Sequence, residues 1–511
     1  MRQQLFKSTV IVSSMSMISR LLGFIRDMLI ARIFGVDADS DAFYIAFKIP
    51  NFLRRLFAEG AFAQAFVPIL FDYKEHGSAG ALKLFIDRTA GTLAVLLMLL
   101  SLIGVIATPI LISVFAPGLD QSGAQFTLAV RMLRITFPYL FFIAGVAFAG
   151  SILNSQGKFV IPALTPAFLN ICMIAAALWL APLMPNPIIA LAWGIFGAGI
   201  VQLLFQLPAL MRIGLLPKLT LGFDDPGVKR VLALLLPAIF AASISQINLL
   251  LDTAFASYLS SGSVSWLYYS ERLVEFPLGI LGIAIATVIL PSLSKSYITE
   301  NPRAFSKAMD WGLRWTIVVG LPATIGLVLL AEPLFSALFQ YGEFSAKDVT
   351  AAGLSLKGYA VGLLAFMLIK ILVPGFTARK DVRTPAKFGL YAIIANFCLN
   401  LALMTPFAHG GLALATSIAA FFNVGLLLYG LLKDKHYQPQ PGWWLFSARI
   451  LIANSMMAVS VMTCVDMQIW TDLSSMSRLV NLLLIIMANG LGYLLLLYVF
   501  KLRFHDISAA G

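Results

Sequence analysis

Long apolar stretches recur along the whole of this 511-residue chain, and they constrain its fold more than any other feature. Many are longer than the ~20 residues that a helix needs to cross a hydrocarbon core of about 30 Å. Inside lipid the backbone must satisfy its own hydrogen bonds, so such stretches form helices. Only 12% of the residues are charged, against about 25% in soluble domains. The sequence therefore predicts an all-α polytopic membrane protein.

Hydropathy, together with breaks at proline, glycine and charged residues, predicts about fourteen transmembrane helices. The predicted spans are residues 9–33, 39–73, 88–116, 125–155, 159–181, 187–212, 228–257, 264–297, 310–338, 348–378, 385–406, 409–432, 446–470 and 478–502. The first of them is interrupted by Arg20 and Arg26 and lacks a small-residue cleavage site, which favours a retained helix over a signal peptide.

The charges of the predicted loops alternate along the chain. Cations such as Lys74, Lys158 and Arg379 lie in every second loop, whereas the intervening loops carry acids such as Asp120 and Glu343. By the positive-inside rule, this pattern predicts a multi-pass protein whose N- and C-termini are both cytoplasmic.

An internal repeat is visible as local patterns that recur about 225 residues apart, the kind of period that should be sought before any fold is assigned. The paired positions are Asp27 with Asp252, Pro68 with Pro291, Phe115 with Phe339, Gly150 with Gly375, and Asn170 with Asn396. The repeat predicts two homologous six-helix lobes around a central cavity, at residues 1–215 and 225–435, with two additional helices at 446–502. Lobes related in this way are typical of transporters.

Charged residues interrupt several of the apolar stretches, mostly near the start of the chain. An Arg, Lys or Asp at the centre of a membrane helix costs roughly 2.5–3.5 kcal/mol, so such residues usually face a bundle interior or a water-filled cavity and mark a substrate path. At about 100° per residue, one face of the first helix carries Arg20, Arg26 and Asp27. The candidate substrate-binding residues are Arg20, Arg26, Asp27, Asp41, Arg54, Glu59 and Arg272.

Arginine grips phosphate and carboxylate with two parallel hydrogen bonds and does not lose its charge when buried. The candidate arginines therefore indicate an anionic, phosphorylated cargo. The alternative is that they pair only with neighbouring acids and hold the lobes together. Asn170 and Asn396 are interpreted as hydrogen-bonding residues between helices.

Catalytic and metal chemistry find little support in the sequence. The three cysteines fall within apolar runs without metal or redox spacing, and the four histidines lie in predicted loops or in the tail. The sequence thus predicts a non-enzyme without a metal site or cofactor.

Several of these segments resemble a known family. SRLLGFIRDMLIARIFG, DAFYIAFKIPNFLRRLFAEGAFAQAFVPI, SGSVSWLYYSERLVEFPLGILGIAIATVILPSLSKS and GFTARKDVRTP are similar to the MurJ (MviN) lipid II flippases of the MOP exporter superfamily. The resemblance covers essentially the whole chain.

The resemblance implies a fourteen-helix flippase that moves undecaprenyl-pyrophosphate-linked peptidoglycan precursor to the outer leaflet of a bacterial inner membrane. By motif, the family's functional charges correspond to Arg20, Arg26, Asp41, Arg54 and Arg272, with Asp27 and Glu59 beside them. It implies that the last two helices form a groove for the lipid tail. It also implies a coupling ion or a dependence on membrane potential, although the sequence identifies no ion site. Lipid II, membrane lipids and other cell-wall synthesis proteins are the expected partners, and nucleic acid is not.

Three other functions are alternatives to this one. A flippase for another polyprenyl-linked saccharide, of the O-antigen type, shares the cargo chemistry up to the diphosphate. A multidrug or cation antiporter of the same superfamily would favour acidic and aromatic residues over arginine in its cavity. A membrane glycosyltransferase would need a large external loop with catalytic carboxylates, whereas the predicted outer loops are short.

Overall fold

The computed structural model describes residues 2–56, 62–244, 247–433, 436–465, 470, 473–500 and 502. Helices dominate this part of the chain, and it contains no β-strand. The chain forms two compact units, residues 1–262 and 263–511.

The helices of the first unit range from 5 to 33 residues in length. They are α1 Arg2–Phe34, α2 Ala38–Leu56, α3 Phe62–His76, α4 Ala79–Ile106, α5 Thr108–Phe115, α6 Ala124–Thr136, α7 Tyr139–Ser155, α8 Val160–Leu164, α9 Ala167–Ala175, α10 Ile189–Arg212, α11 Pro226–Ile244 and α12 Ile247–Ala256. A π-helical turn at Ala176–Leu180 and a 3₁₀ turn at Ala181–Leu183 extend α9.

Proline accounts for several of the breaks between these helices, since it cannot donate the backbone hydrogen bond that continues a helix. Pro138 lies between α6 and α7, Pro166 precedes α9, and Pro109 occupies the first turn of α5. Within the unit α1 packs against α8 and α9, α10 against α7 and α9, α2 against α6, and α11 against α3. These packings bring α1 and α9, which are far apart in sequence, side by side.

The second unit contains the remaining helices. They are α13 Ser263–Pro277, α14 Ile283–Ile298, α15 Pro302–Leu329, α16 Ala331–Leu338, α17 Ala346–Val361, α18 Leu363–Thr377, α19 Arg383–Lys433, α20 Trp443–Cys464 and α21 Ser475–Val499. A π-helical turn at Leu278–Gly282 joins α13 to α14. Within α19 the backbone of Ala408 is non-helical, so this element comprises two helices that meet at a kink.

The last two helices pack within the second unit, α20 against α15 and α21 against α16 and α20. The hydroxyl of Tyr493 in α21 donates a 2.9 Å hydrogen bond to the carbonyl of Val318 in α15. At the start of α21, Nη1 of Arg478 donates to Oε1 of Gln340 at 2.8 Å. The predicted additional helices are therefore fixed to the second unit by polar as well as apolar contacts.

Nine helical segments in the described ranges are long and apolar enough to cross a membrane. The kinked α19 counts as one of them, although it covers two predicted spans, 385–406 and 409–432. The short α2, with Asp39, Asp41, Lys48, Arg54 and Arg55 among its 19 residues, is not among them. A multi-pass helical membrane protein is thus confirmed, whereas the count of fourteen spans stays a prediction, as do the lobe boundaries 1–215, 225–435 and 446–502.

Candidate functional site

Arg26 of α1 lies in a buried polar cluster in the first unit. Arg26 is 3% exposed and Asp27 is 1% exposed. Nε and Nη2 of Arg26 donate to Oδ1 of Asp27 at 2.9 and 2.6 Å, and Nη1 donates to Oδ1 of Asn170 at 3.0 Å. The guanidinium also lies 5.8 Å from the centre of the Phe47 ring. Burial of this charge is compensated by a carboxylate, an amide oxygen and an aromatic face.

Asn170 of α9 connects this cluster to the backbone of α1. Its Nδ2 donates a 2.9 Å hydrogen bond to the carbonyl of Ser19. The backbone of Gly23 passes close to the same amide, since a Cβ at this position would lie 3.5 Å from Nδ2 of Asn170. The amide of Asn170 therefore fixes α9 on α1 and at the same time orients the Arg26 guanidinium.

Asp41, in the first turn of α2, lies against the end of the loop that follows α12. The side chain is buried, and its Oδ2 accepts a 2.7 Å hydrogen bond from the backbone N–H of Gly262. Gly262 has a φ of 97°, a backbone conformation that glycine adopts at little cost. The carboxylate thus stabilises a turn within the first unit.

Arg54 lies in the last turn of α2 and is partly buried. Its Nε and Nη2 donate to Oδ1 of Asn51 at 3.1 and 3.0 Å, an arrangement that the spacing of three residues on a helix allows. Nearby, Lys48 is buried and Arg55 is partly buried. The end of α2 therefore carries three cations within about two helical turns.

Arg272 is the candidate arginine of the second unit, on α13. Its side chain is 28% exposed, and Nη1 donates to Oε2 of Glu275 at 2.9 Å. Nε and Nη2 both lie 3.2 Å from the hydroxyl of Tyr268, whose ring centre is 5.1 Å from the guanidinium carbon. One carboxylate and one tyrosine thus orient a guanidinium that keeps part of its surface accessible.

The structure brings some of the predicted site residues together and leaves others apart. Arg26 and Asp27 share one cluster, whereas Asp41 and Arg54 have separate surroundings on α2. Arg20 is exposed on α1. Glu59 lies outside the described residues. The roles of all seven candidates in substrate binding stay predictions.

Two residues that position candidate side chains were not identified as such from the sequence. The role of Asn51 could have been inferred from its spacing of three residues from Arg54 on a helix. Asn170 had been interpreted only as a helix-packing residue, and no sequence pattern links it to Arg26, 144 positions away.

Other charged side chains within the helices also have partners. Nε of Arg134 in α6 donates to the hydroxyl of Thr108 at 3.1 Å. Nζ of Lys357 in α17 lies 2.5 Å from Oε1 of Glu332 in α16. Glu332 and Lys357 line an open pocket with Lys347, Thr350 and Leu354. These pairs join neighbouring helices of the same unit.

Long apolar helices, together with buried and hydrogen-bonded charged residues, define the class of this protein, a polytopic membrane protein. The chain belongs to the MurJ family, because the family model described as "Lipid II flippase MurJ" matches residues 30–483.

Individual relatives and solved structures agree with this assignment. The chain is 44% identical to the probable lipid II flippase MurJ of Vibrio cholerae, in an alignment that covers 99% of this chain and 98% of that protein. It is 41% identical to the lipid II flippase MurJ of Burkholderia cenocepacia, in an alignment that covers 92% of each protein. A solved structure of lipid II flippase MurJ in an inward closed conformation aligns with a TM-score of 0.81 and 27% identity, covering 96% of this chain and 98% of that one.

A multidrug resistance MATE family transporter of the MOP superfamily, in an inward-facing conformation, aligns with a TM-score of 0.68 and 14% identity. The alignment covers 83% of this chain and 97% of the transporter. At this identity the likeness concerns the fold alone. It supports the all-α transporter fold that the sequence predicted.

Proposed function

We propose that this chain is a flippase that moves lipid II from the cytoplasmic to the periplasmic leaflet of a bacterial inner membrane. The observation that carries the proposal is membership of the MurJ family over nearly the whole chain. The charged side chains alone specify only an anionic cargo. The names of the relatives add the identity of that cargo and a transport function.

The arginines are suited to different parts of this task. Arg26 is buried and held by Asp27 and Asn170, so its charge contributes to the local potential and its position is fixed. Arg20 and Arg272 keep accessible surface and are therefore the better candidates for direct contact with a diphosphate. In this scheme Tyr268 and Glu275 orient the Arg272 guanidinium before the cargo arrives.

The chemistry of lipid II explains why a transporter would need both polar and apolar surfaces. The diphosphate and the sugar-peptide headgroup would contact the charged helices, while the polyprenyl chain would stay in the bilayer or against the last two helices. Alternating access of two lobes would then carry the headgroup across without exposing its charge to hydrocarbon. Cytoplasmic termini, a coupling ion or membrane potential, and contacts with cell-wall synthesis proteins belong to the same proposal.

The proposal is tested in cells depleted of their own flippase, by measuring lipid II headgroups at the outer face of the membrane. The chain itself should restore their exposure, whereas Arg20→Ala and Arg272→Ala should fail although both variants reach the membrane. Arg303→Ala is the matched control, because Arg303 is an exposed arginine in the first turn of α15.

Two outcomes would contradict the proposal in different ways. If the unchanged chain does not restore lipid II exposure, lipid II is not its cargo, and another polyprenyl-linked saccharide becomes the substrate to test. If the chain restores exposure and both arginine variants work as well as Arg303→Ala, the flippase function stands, but the assignment of these arginines to cargo binding is wrong.

A further inference from the structure

The connection between α10 and α11, residues 213–225, has turns at 213–214 and 223–224, and its residues 215–222, which belong to no helix or turn, run along the first part of α4. We call this segment the strap. Every second backbone N–H near its middle donates to α4: Lys218 to Oδ1 of Asp87 at 2.7 Å, Thr220 to the carbonyl of Asp87 at 3.4 Å, and Gly222 to the hydroxyl of Thr92 at 3.1 Å. These donors are thus satisfied by protein and do not depend on water.

Two glycines allow the strap to lie directly on α4. A Cβ on Gly91 of α4 would lie 2.2 Å from the carbonyl oxygen of Thr220, and a Cβ on Gly222 would lie 2.5 Å from Cβ of Arg88. At the end of the strap, Nη1 of Arg88 donates to Oδ2 of Asp225 at 2.8 Å. The strap is therefore held against α4 at several successive points.

The residues between the hydrogen-bonded ones are apolar and exposed. Leu219, Leu221 and Phe223 are 72%, 63% and 44% exposed. The side chains of Lys218 and Thr220 are exposed as well, so this part of the strap contacts α4 through its backbone and leaves its side chains accessible. Three neighbouring large apolar side chains would form an unfavourable patch in water.

The depth of the strap along α4 matches the edge of a bilayer. The exposed apolar residues continue from Val95 to Ile106 in α4, and Ile110 and Val114 in α5 are exposed beyond them. This part is expected to face lipid. At about 1.5 Å per residue, Thr92 lies about 21 Å and Asp87 about 28 Å from Ile106 along the helix axis. With a hydrocarbon core of about 30 Å, the strap falls near the boundary of the core at the N-terminal end of α4.

Cationic side chains accompany the apolar ones. Arg212, at the end of α10, and Lys218, within the strap, are both exposed. Cations at the edge of a membrane are attracted to anionic lipids, and apolar side chains beside them enter the region between headgroups and acyl chains.

We propose that the strap is a membrane-interface element, in which Leu219, Leu221 and Phe223 insert into the leaflet at the N-terminal end of α4 while Arg212 and Lys218 contact anionic headgroups. In the predicted topology this is the cytoplasmic leaflet. Through Asp225, which accepts hydrogen bonds from the first backbone N–H groups of α11, the strap connects this leaflet to α11. The inference does not depend on which lipid the protein transports.

The test places a fluorescent bimane on a single cysteine in the full-length chain, after replacement of Cys172, Cys398 and Cys464 by serine. Leu221→Cys reports on the strap, and Leu219→Cys repeats the measurement if the first variant does not fold. Asp224→Cys is the matched control, because this neighbouring side chain is charged and fully exposed. The proteins are reconstituted in vesicles of phosphatidylcholine with varied phosphatidylglycerol.

Quenching by a nitroxide near the headgroup end of a lipid acyl chain is compared with quenching by aqueous iodide. We expect the lipid nitroxide to quench position 221 several-fold more strongly than position 224, and iodide to show the reverse order. Quenching of position 221 by lipid should increase with phosphatidylglycerol, and this increase should disappear in the Arg212→Gln and Lys218→Gln double variant. That variant keeps the bond to Asp87, because the donor is the backbone of residue 218.

Three results would overturn the proposal. Iodide quenching at 221 equal to that at 224 would place the strap in water. Protection of 221 from both quenchers would mean that protein, from this chain or from a partner, covers it. Lipid quenching at 221 that does not depend on phosphatidylglycerol or on the two cations would remove the role of anionic headgroups.

Discussion

Arg26 and Asn170 lie 144 positions apart, and Nη1 of Arg26 donates a 3.0 Å hydrogen bond to Oδ1 of Asn170. The same amide donates to the backbone carbonyl of Ser19. One side chain thus orients the buried arginine and joins α9 to α1. A residue that the sequence identified only as hydrogen-bonding between helices therefore fixes the position of one candidate side chain, Arg26.

We predict that Asn170→Ala lowers both stability and transport. The substitution removes one acceptor from a buried guanidinium and the side-chain donor to Ser19, and a buried polar group that loses its partner costs about 1–3 kcal/mol. Thermal unfolding in detergent and lipid II exposure in depleted cells measure the two effects.

Asn489→Ala is the control for Asn170→Ala, because Nδ2 of Asn489 donates to the carbonyl of Ile485 within its own helix. Equal loss of stability in the two variants would mean that the contact between α1 and α9 contributes nothing beyond a local hydrogen bond.

Arg272 and Tyr268 lead to a prediction about orientation. Lysine at position 272 keeps the charge but loses the planar guanidinium, which can form two parallel bonds to a phosphate. Hydrogen bonds to charged groups contribute about 1.5–3 kcal/mol, so Arg272→Lys should reduce transport by about tenfold or more.

Tyr268→Phe keeps the aromatic ring beside Arg272 and removes only the hydroxyl. We expect a smaller loss of transport than in Arg272→Lys, measured in the same exposure assay at matched protein levels. Normal transport by Arg272→Lys would show that charge alone is sufficient at this position.

How much of the site the sequence could predict depends on the distance over which each interaction acts. The pair Arg26 and Asp27 consists of neighbours in sequence, and the pair Arg54 and Asn51 follows from local spacing, whereas Arg20, predicted on the same face as Arg26, is exposed. The partnership of Arg26 with Asn170, and of Asp41 with Gly262, depends on which helices and loops pack together. Hydropathy does not determine that packing, because lipid-facing and protein-facing surfaces are both apolar.

The fold shows the same division between local and long-range information. Apolar run length predicted membrane helices, and the family motifs predicted the flippase fold. The kink at Ala408 and the separate α8 and α9 within the predicted span 159–181 arise from local backbone geometry. The repeat pairs Asn170 with Asn396, and both are buried. Their partners differ: Asn170 accepts a hydrogen bond from Arg26, whereas Nδ2 of Asn396 donates to the hydroxyl of Thr416.

Asp225, at the start of α11, leads to a prediction about acid stability. Burial raises its pKa, but the hydrogen bonds from Arg88, Val228 and Gly227 outweigh burial, so the pKa lies below its ordinary value of 3.8. A lowered pKa in the folded state stabilises the protein above that ordinary value, and the contribution is lost as the pH falls through the folded value.

Asp225→Ala should therefore lower stability at neutral pH by about 0.5–2 kcal/mol, the usual range for a lost helix N-cap. The difference from the unchanged chain should diminish as the pH falls below 3.8. Thermal unfolding across a pH series measures this, with the adjacent Asp224→Ala as control, since Asp224 pairs with Lys229 on the surface. A deficit that persists at acid pH would mean that the carboxylate charge is not what stabilises this helix start.

Asp310 of α15 accepts hydrogen bonds from the connection between α19 and α20, so substitution of Asp310 should weaken the packing of α20 on the second unit. Its buried carboxylate accepts hydrogen bonds from the hydroxyl of Tyr437, from Nε1 of Trp443 at 3.0 Å and from the backbone of Gln440 at 3.3 Å. Arg314 lies 3.2 Å from the same carboxylate and 5.2 Å from the centre of the Trp443 ring. The pKa of Tyr437 is raised by burial and by this carboxylate, so its hydroxyl remains a donor throughout the physiological pH range.

Tyr437→Phe removes one donor and leaves Trp443, Gln440 and Arg314 in place, so we expect a loss of about 1 kcal/mol. Asp310→Ala leaves several groups without their acceptor and an arginine without its counter-ion, and it should cost about 3–5 kcal/mol. Limited proteolysis of the connection before α20, followed together with thermal unfolding, should show faster cleavage in Asp310→Ala than in Tyr437→Phe. If both variants are cleaved at the rate of the unchanged chain, apolar contacts of α20 with α15 are sufficient to hold this helix, and the carboxylate cluster does not anchor it.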